Sequence, residues 1–449
     1  MEVTVPDMME ARERRASRQR ELLTQYGETL LCFTMNIPGP VKDSPLIRSG
    51  FALGRQRLRQ AFLRLGIRPL HEEEDLSFTG CEAFFVLPLP ALQVKRMAAD
   101  IEEDSLLGRL FDLDVLRPGG VKVERQEIGL PGRRCLLCGN PAQVCARSRA
   151  HALSSLQAKT HEILEDAVQQ AVCRRIAQLS VRALLYEVNV TPKPGLVDRA
   201  NAGSHRDMDI FTFAASACAL YPYYYRCAQI GFETASLAAP ETFAALRAAG
   251  RMAEGEMLEA TGGVNTHKGA IFSLGLLAAA AGRTKELEAI PADRILSECR
   301  AMTAGLTAAD FAVLTPDTAQ TAGQRLYLQF GLTGVRGEAE QGFPLVALHG
   351  LPKLREGIAA GLSPNDAGCA ALLSIMAHNT DTNILHRGGM GALERVRQSA
   401  ASLLEREPFP SAASVAALDE ELIRENISPG GSADLLALCF FLYFLEEAV

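Results

Sequence analysis

Between Ala150 and Val190 the chain carries neither glycine nor proline, and Leu153, Leu156, Ile163, Ala167, Val168, Ala171, Val172, Ile176, Leu179 and Leu185 recur at helical spacing. Such spacing lays the apolar residues on one stripe and predicts a long helix. Upstream the pattern is different. Leu30 to Met35, ending at Asn36-Ile37-Pro38-Gly39-Pro40, reads as a strand, as do Ala83 to Leu87 and Leu110 to Leu116, with a helical stretch from Leu92 to Leu107 between the last two. Ahead of them, Arg12, Arg14, Arg15, Arg18 and Arg20 among Glu10, Glu13 and Glu21 read as a solvated helix. Downstream, Ala/Leu-rich segments follow one another with helix-start signals such as Ser363-Pro364-Asn365-Asp366, and alternation almost disappears after residue 200. The expectation is two domains, an α/β or α+β domain over 1–170 and an all-α domain over 171–449. Their boundary is expected within or between helices, without a flexible linker.

A chain of 449 residues is long enough for two or three cores. The formal charge of −7 argues against a nucleic-acid binder. Residues 1–150 hold 22 Lys+Arg and 20 Asp+Glu, so the acidity lies in the remainder. Leu435 to Leu445, the most apolar segment, falls far short of the roughly 18 residues that span a bilayer. It follows Gly430-Gly431-Ser432 and reads as a buried helix behind a loop and N-cap. Glu2, Asp7 and Glu10 interrupt any secretory signal, and eleven cysteines, an odd number, suit thiols in a reducing compartment. A cytoplasmic protein without a membrane span is expected.

Four glycine-plus-charge clusters stand out in the second domain. Thr261-Gly262-Gly263-Val264-Asn265-Thr266-His267-Lys268-Gly269 leads into the apolar run Ala270 to Ala281. Glycines let amides approach an anion, and a helix start adds N–H groups and a positive dipole end. A glycine-rich cap with a surface lysine fits the same residues, and the Walker A spacing is absent. Glu187 and Thr191-Pro192-Lys193-Pro194-Gly195-Leu196-Val197-Asp198 are followed by Asn201, Ser204, His205, Arg206, Asp207, Met208 and Asp209. This cluster could bind a divalent ion with phosphates, or be a charged loop capped at the next helix. Gly331 to Glu338, and Asp381-Thr382-Asn383 with Arg387-Gly388-Gly389, complete the set.

Through Lys193-Pro194-Gly195-Leu196-Val197-Asp198, Gly263 to Gly269 and Gly334-Val335-Arg336-Gly337-Glu338, residues ~175–449 resemble triphosphoribosyl-dephospho-CoA synthase. The resemblance implies a reaction that joins ATP to 3′-dephospho-CoA, expels adenine and keeps the triphosphate on the new ribose. Such a reaction needs a carboxylate near the ribosyl cation, an acid for adenine, a base for the incoming 2′-hydroxyl, and cations with Mg²⁺ for the triphosphate. On that reading Lys193, His267, Lys268, Arg336 and Arg387 hold phosphates with Gly263 and Asn265. Glu187, Asp198, Asp207 and Asp381 share metal and acid–base roles.

In the first domain, Phe111-Asp112-Leu113-Asp114-Val115 puts two carboxylates on one face of a strand, as metal-assisted phosphoryl or nucleotidyl transfer requires. A polar edge strand is the plainer alternative for an isolated Asp-x-Asp. Cys135-x2-Cys138-x6-Cys145 with His151 could ligate Zn²⁺, but the spacing is not that of a common finger and a loop of reduced thiols is the plainer reading. Phe33 to Pro40, Gly108 to Val115, and the cysteines with Cys145 to His151 resemble the holo-citrate lyase synthase family over ~10–170. The resemblance implies transfer of phosphoribosyl-dephospho-CoA from its triphosphate form to a serine of the citrate lyase acyl carrier subunit, with release of pyrophosphate. It makes the fold nucleotidyltransferase-like, Asp112 and Asp114 the Mg²⁺ ligands, and Arg109 or Arg48 a charge stabiliser. The product of one half would be the substrate of the other, so a bifunctional transferase is expected. A non-catalytic, carrier-binding assembly chaperone is the alternative, and it predicts no ATP consumption.

Overall fold

In the computed structural model, which describes residues 1–312, 314–319 and 321–447, the chain divides into two compact units, Met1–Gln170 and Ala171–Val449. The first unit contains α1 (Val5–Tyr26), β1 (Thr29–Met35), α2 (Pro45–Arg64), β2 (His71–Ser77), β3 (Gly80–Leu87), α3 (Ala91–Glu103), β4 (Phe111–Leu116), α4 (Ala142–Ser148) and the start of α5 (Leu153–Asn189). The strands form one antiparallel sheet in the order β2-β3-β1-β4, so of the two classes the pattern allowed the unit takes α+β. Alternation sorts the side chains. Leu31, Phe33, Phe85, Phe111, Leu113 and Val115 join the core shared with Phe51 and Leu58 of α2 and Val94 and Ala98 of α3, while Leu30, Cys32, Phe84, Val86 and Leu116 pack against Leu22 and Leu23 of α1.

β2 has no apolar alternation, and hydrophobic periodicity did not reveal it. Three of its four carboxylates are satisfied by arginines of the helix on each one's own face. Glu73 pairs with Arg18 of α1 at 2.7 Å, and Glu72 and Glu74 pair with Arg59 and Arg55 of α2. The outer edge of β4 is covered rather than left open. Leu113 donates its N–H to buried Glu102 (3.0 Å) and accepts from buried Lys95 (2.9 Å), and Val123 returns to donate to the Val115 carbonyl (2.8 Å). This bracing holds Asp112 and Asp114 on the α1 face of the sheet.

In the second unit every regular element among the described residues is helical. After the end of α5 come α6 (Ile210–Ala219), α7 (Tyr221–Glu233), α8 (Ala239–Ala260), α9 (Lys268–Thr284), α10 (Ala292–Met302), α11 (Leu306–Phe311), α12 (Ala322–Phe330) and α13 (Gly334–Glu340). A π turn (Val346–Gly350) precedes α14 (Leu351–Ala359), α15 (Pro364–His378), α16 (Thr382–Arg406), α17 (Ala412–Arg424) and α18 (Gly430–Glu446). Helices α9, α15 and α18 are apolar on nearly all sides, which suits helices at the centre of a bundle. Close packing of α7 on α9 depends on two glycines. A Cβ on Gly231 would lie 2.0 Å from the Ala279 carbonyl oxygen, and one on Gly282 would lie 2.1 Å from that of Ala228.

Candidate active sites

The second unit contains a cleft of about 890 Å³. Three long helices, α9, α16 and α18, open onto it through the residues at their N-termini: Lys268 and Gly269, Thr382 and Asn383, Gly430 and Gly431. The positive dipole ends of the three helices therefore converge on one space. Around it lie Glu187, Asp207, Glu338, Asp381 and Asp434, the cations Lys193, Lys268, Arg336 and Arg387, and His205, His267 and His378.

On the cleft wall, Lys193 and Glu187 form a buried ion pair, both under 5% exposed. His267 is 2% exposed. Its Nδ1 lies 2.7 Å from Ser216 Oγ, which accepts a hydrogen bond from Thr266 at 2.8 Å. Directing the Ser216 proton at Nδ1 assigns the imidazole proton to Nε2, and Nε2 has no partner among the described residues. Burial, reinforced by the charge of Lys193, depresses the His267 pKa to about 3. The side chain is a neutral N–H donor and not the cation that its place beside Lys268 suggested.

Asp381 caps α16 and accepts from Asn383 N (2.9 Å), Ser432 N (2.8 Å) and Ser432 Oγ (2.9 Å), tying α16 to the start of α18. Sequence reasoning missed Asp434. Burial, then the charges of Glu187 and Asp381, push its carboxyl well above the usual range, against the opposing effect of the Ala270 amide that donates to it. Gly269 leaves the necessary room: a Cβ there would lie 1.9 Å from Asp434 Oδ2. A lone acid near the start of the apolar run 435–445 was the available signal.

The other expected residues are placed unevenly. Lys268 pairs with Glu254 (2.8 Å), Arg336 with Asp310 (2.9 Å), and Arg387 donates to the carbonyls of Ser204 (3.0 Å) and Asn426 (3.3 Å), all at the cleft. Asn265 Oδ1 accepts from Lys268 N at 3.3 Å, capping α9. Asp207 is exposed at the cleft. Asp198 and Gly263 do not line it. Asp198 is buried and accepts from the amides of Lys193 (2.9 Å), Ala200 (2.6 Å) and Asn201 (3.0 Å), so both its oxygens brace the loop that presents Lys193. Gly263, at φ 92°, ends α8 by donating to Leu258 O (2.7 Å). Among the described residues no three carboxylates of the cleft gather within 4.8 Å, so a divalent ion there would need phosphate oxygens to complete its shell.

In the first unit, Asp112 and Asp114 share one face of β4. Burial and the neighbouring Asp114 raise the Asp112 pKa. Lys122 pairs with Asp114 at 2.5 Å and Arg133 stands 3.9 Å from Asp112. Two like charges side by side favour a cation between them, which fits a divalent metal. Neither aspartate lines the adjacent cavity of about 800 Å³, but Arg133 does, with Arg109, Arg125, Arg134 and Arg149. Arg109 donates to the carbonyls of Arg134 (2.8 Å) and Cys135 (3.1 Å). Arg48 is held by Asp43 at 2.7 Å and lies outside the cavity wall. Cys135, Cys145 and His151 belong to that wall, and with Cys138 they bring four ligand atoms within 4.8 Å of one another.

Comparison with known proteins divides the chain at nearly the same boundary. Residues 173–449 match the family described as ATP:dephospho-CoA triphosphoribosyl transferase, and residues 3–167 match apo-citrate lyase phosphoribosyl-dephospho-CoA transferase. A Haemophilus influenzae protein named Protein CitXG is 38% identical over 98% of this chain and 96% of its own length. Another of that name, from Leuconostoc mesenteroides subsp. cremoris, is 33% identical over 97% and 96%. A probable 2-(5''-triphosphoribosyl)-3'-dephosphocoenzyme-A synthase of Albidiferax ferrireducens is 45% identical over 61% of this chain and 91% of its own.

Proposed function

Because the chain belongs to the CitXG family, which joins a phosphoribosyl-dephospho-CoA transferase half to a triphosphoribosyl transferase half, we propose an assignment of its two reactions to its two units. The protein is an enzyme that makes triphosphoribosyl-dephospho-CoA and transfers the prosthetic group to the acyl carrier of citrate lyase. Unit 171–449 carries out the first reaction, from ATP and 3′-dephospho-CoA with loss of adenine. Unit 1–170 carries out the second, onto a carrier serine with loss of pyrophosphate. The observation that best supports the first assignment is the convergence of three long helix N-termini, four cations and five carboxylates on one cleft.

In that cleft the triphosphate lies against the α9 and α18 N-termini, with Lys193, Lys268, Arg336 and Arg387 neutralising it. Glu187 positions the Lys193 ammonium, and His267 donates its free Nε2–H to a phosphate or purine acceptor without adding charge. Cleavage of the N-glycosidic bond sends its electron pair to adenine, which leaves more readily when protonated. Asp434, whose carboxyl burial pushes well above the usual range, supplies that proton. Its carboxylate then faces the positive charge that develops on the ribose. The incoming 2′-hydroxyl forms the new bond to C1′ and gives up its proton to the carboxylate wall of Asp207 and Asp381. Mg²⁺, held by Asp207 and the phosphates, would supply charge neutralisation to the triphosphate. Incubating the pure chain with ATP and 3′-dephospho-CoA should liberate free adenine only when both are present; no adenine release would overturn the assignment.

The first unit is read as nucleotidyltransferase-like, with paired carboxylates on one strand beside an arginine-lined cavity. Asp112 and Asp114 would hold Mg²⁺, whose chemistry there is to neutralise the phosphate under attack. The carrier serine displaces pyrophosphate from the phosphorus nearest the ribose. Arg133 links the carboxylate pair to the cavity, and Arg109 and Arg134 face the departing phosphates. No described helix is long and apolar enough to cross a membrane. The odd count of eleven cysteines supports a cytoplasmic location, with the carrier subunit as the protein partner and no role for nucleic acid.

A further inference from the structure

The segment from Gly129 to Ala152 is held to the rest of the unit by Leu136 and by hydrogen bonds of Arg109, Arg125 and Arg133, with few apolar contacts of its own. It contains one regular element, the seven-residue α4, and its apolar side chains Leu137 and Val144 are 37% and 58% exposed. A connection of this length without a core of its own needs some other constraint. The four groups gathered in it supply the means. Cys138 Sγ lies 3.5 Å from Cys145 Sγ and 3.3 Å from His151 Nε2, and the sulfur of Cys135 completes a set whose members all lie within 4.8 Å. Zinc bonds of about 2.3 Å to sulfur and 2.0–2.1 Å to nitrogen, at tetrahedral angles, require S···S and S···N separations of roughly 3.8 and 3.6 Å. The observed spacing is close to that before any ion draws the ligands into place.

The backbone is also folded for it. Cys135 N donates to Asn140 O (2.6 Å) and Gly139 N to Cys135 O (3.3 Å), closing a tight turn around the Cys-x2-Cys pair in which Gly139 takes φ 73°. The amides of Leu137 and Cys138 point at Cys135 Sγ. Packing does not account for the whole cluster: Cys135 and Cys145 are buried, but Cys138 is exposed and His151 partly so, whereas thiols that fill cores in this chain, such as Cys173, Cys227, Cys299 and Cys439, are fully buried.

We propose that Cys135, Cys138, Cys145 and His151 form a structural zinc site that clips this segment into place and so fixes the arginine wall of the first unit's cavity. Three thiolates and one imidazole in a closed tetrahedral set match structural zinc, with no position left open for water. Arg133 and Arg134 immediately precede the first ligand, Arg149 lies between the third and fourth, and Arg109 is anchored to the Cys135 carbonyl. Loss of the ion would therefore disperse the cavity wall while leaving Asp112 and Asp114 on their strand. The zinc assignment stands on its own; its consequence for carrier modification rests on the function proposed for this unit.

The test is the metal content of the full chain, purified from zinc-supplemented cells and stripped of loose ions. About one zinc per chain is expected, released on titration with an organomercurial. Cobalt substitution should give the absorption of tetrahedral thiolate coordination. His151→Ala and Cys138→Ser should lower zinc well below stoichiometric, whereas Cys218→Ser, at an exposed thiol elsewhere, should not. A chain free of zinc, or one with a Cys138–Cys145 disulfide in its place, would overturn the proposal. Should Cys138→Ser fold poorly, zinc content and the cobalt spectrum of the unmodified chain decide alone. Normal zinc with no carrier modification would count against the assigned reaction and not against the site.

Discussion

Asp434→Asn separates proton donation from structure more cleanly than any other substitution in the cleft. Burial and the charges of Glu187 and Asp381 push the carboxyl well above the usual range, and the proposed mechanism uses it in its neutral form. An amide of the same shape therefore replaces one uncharged group with another, and its oxygen can still accept from Ala270. What it cannot do is protonate adenine. General acid catalysis of this kind is typically worth about 10²–10⁴-fold, or roughly 2.7–5.5 kcal/mol of barrier. Adenine release, followed by chromatography under saturating ATP and dephospho-CoA, should fall by that factor with KM little changed. Stability should move the other way. A carboxyl whose pKa is raised on folding binds its proton more tightly in the native state, so its contribution declines as pH rises from about 3.9 through the folded value. Asparagine removes that decline, and the melting temperature at pH 7 should be no lower than that of the parent. Release above a tenth of the parental rate, or a melting temperature lower by more than about 4 °C, would refute the reasoning, the latter signalling about 1 kcal/mol or more of structural damage.

Gly269→Ala would drive a Cβ to 1.9 Å from Asp434 Oδ2, and should cost about 1–3 kcal/mol of stability with a large loss of adenine release, measured by denaturant unfolding and turnover together. Because His267 is depressed from 6.5 to about 3, its neutral form stabilises the fold above pH 6.5 and that contribution is lost as pH falls toward 3. The full difference is roughly 4–5 kcal/mol, so His267→Gln should flatten the acid limb of a stability–pH curve; parallel curves would count against the buried neutral imidazole. Asp112→Asn and Asp114→Asn should each slow carrier modification by at least about 10²-fold while adenine release by the same protein stays normal. A fall in both activities would contradict the division of labour between the units.

Much of the architecture was legible because it rests on periodicity. The stretch free of glycine and proline became α5, and the apolar runs around Leu31, Phe85 and Leu113 became β1, β3 and β4. β2 was not legible, since Glu72, Glu73, Glu74 and Asp75 form a strand only once arginines of α1 and α2 neutralise the first three, a tertiary effect that no local pattern contains. The candidate site was partly readable for the same reason. Glycine-plus-charge clusters marked Lys193, His267, Lys268, Arg336 and Asp381, all of which reach the cleft. Composition could not distinguish a carboxylate that faces the cleft from one that braces a loop, and Asp198 proved to be the second kind. Nor could it show that burial would make His267 a neutral donor, or that Asp434 would fold back onto the start of α9.

The central claim is that one polypeptide performs both steps in sequence. Its most direct measurement is the intact mass of the apo acyl carrier after incubation with this chain, ATP, Mg²⁺ and 3′-dephospho-CoA. The carrier should become heavier by a phosphoribosyl-dephospho-CoA group, with adenine and pyrophosphate released in equal amounts. A carrier of unchanged mass, when the same chain is also denied neither substrate nor metal and adenine is still not released, would contradict it.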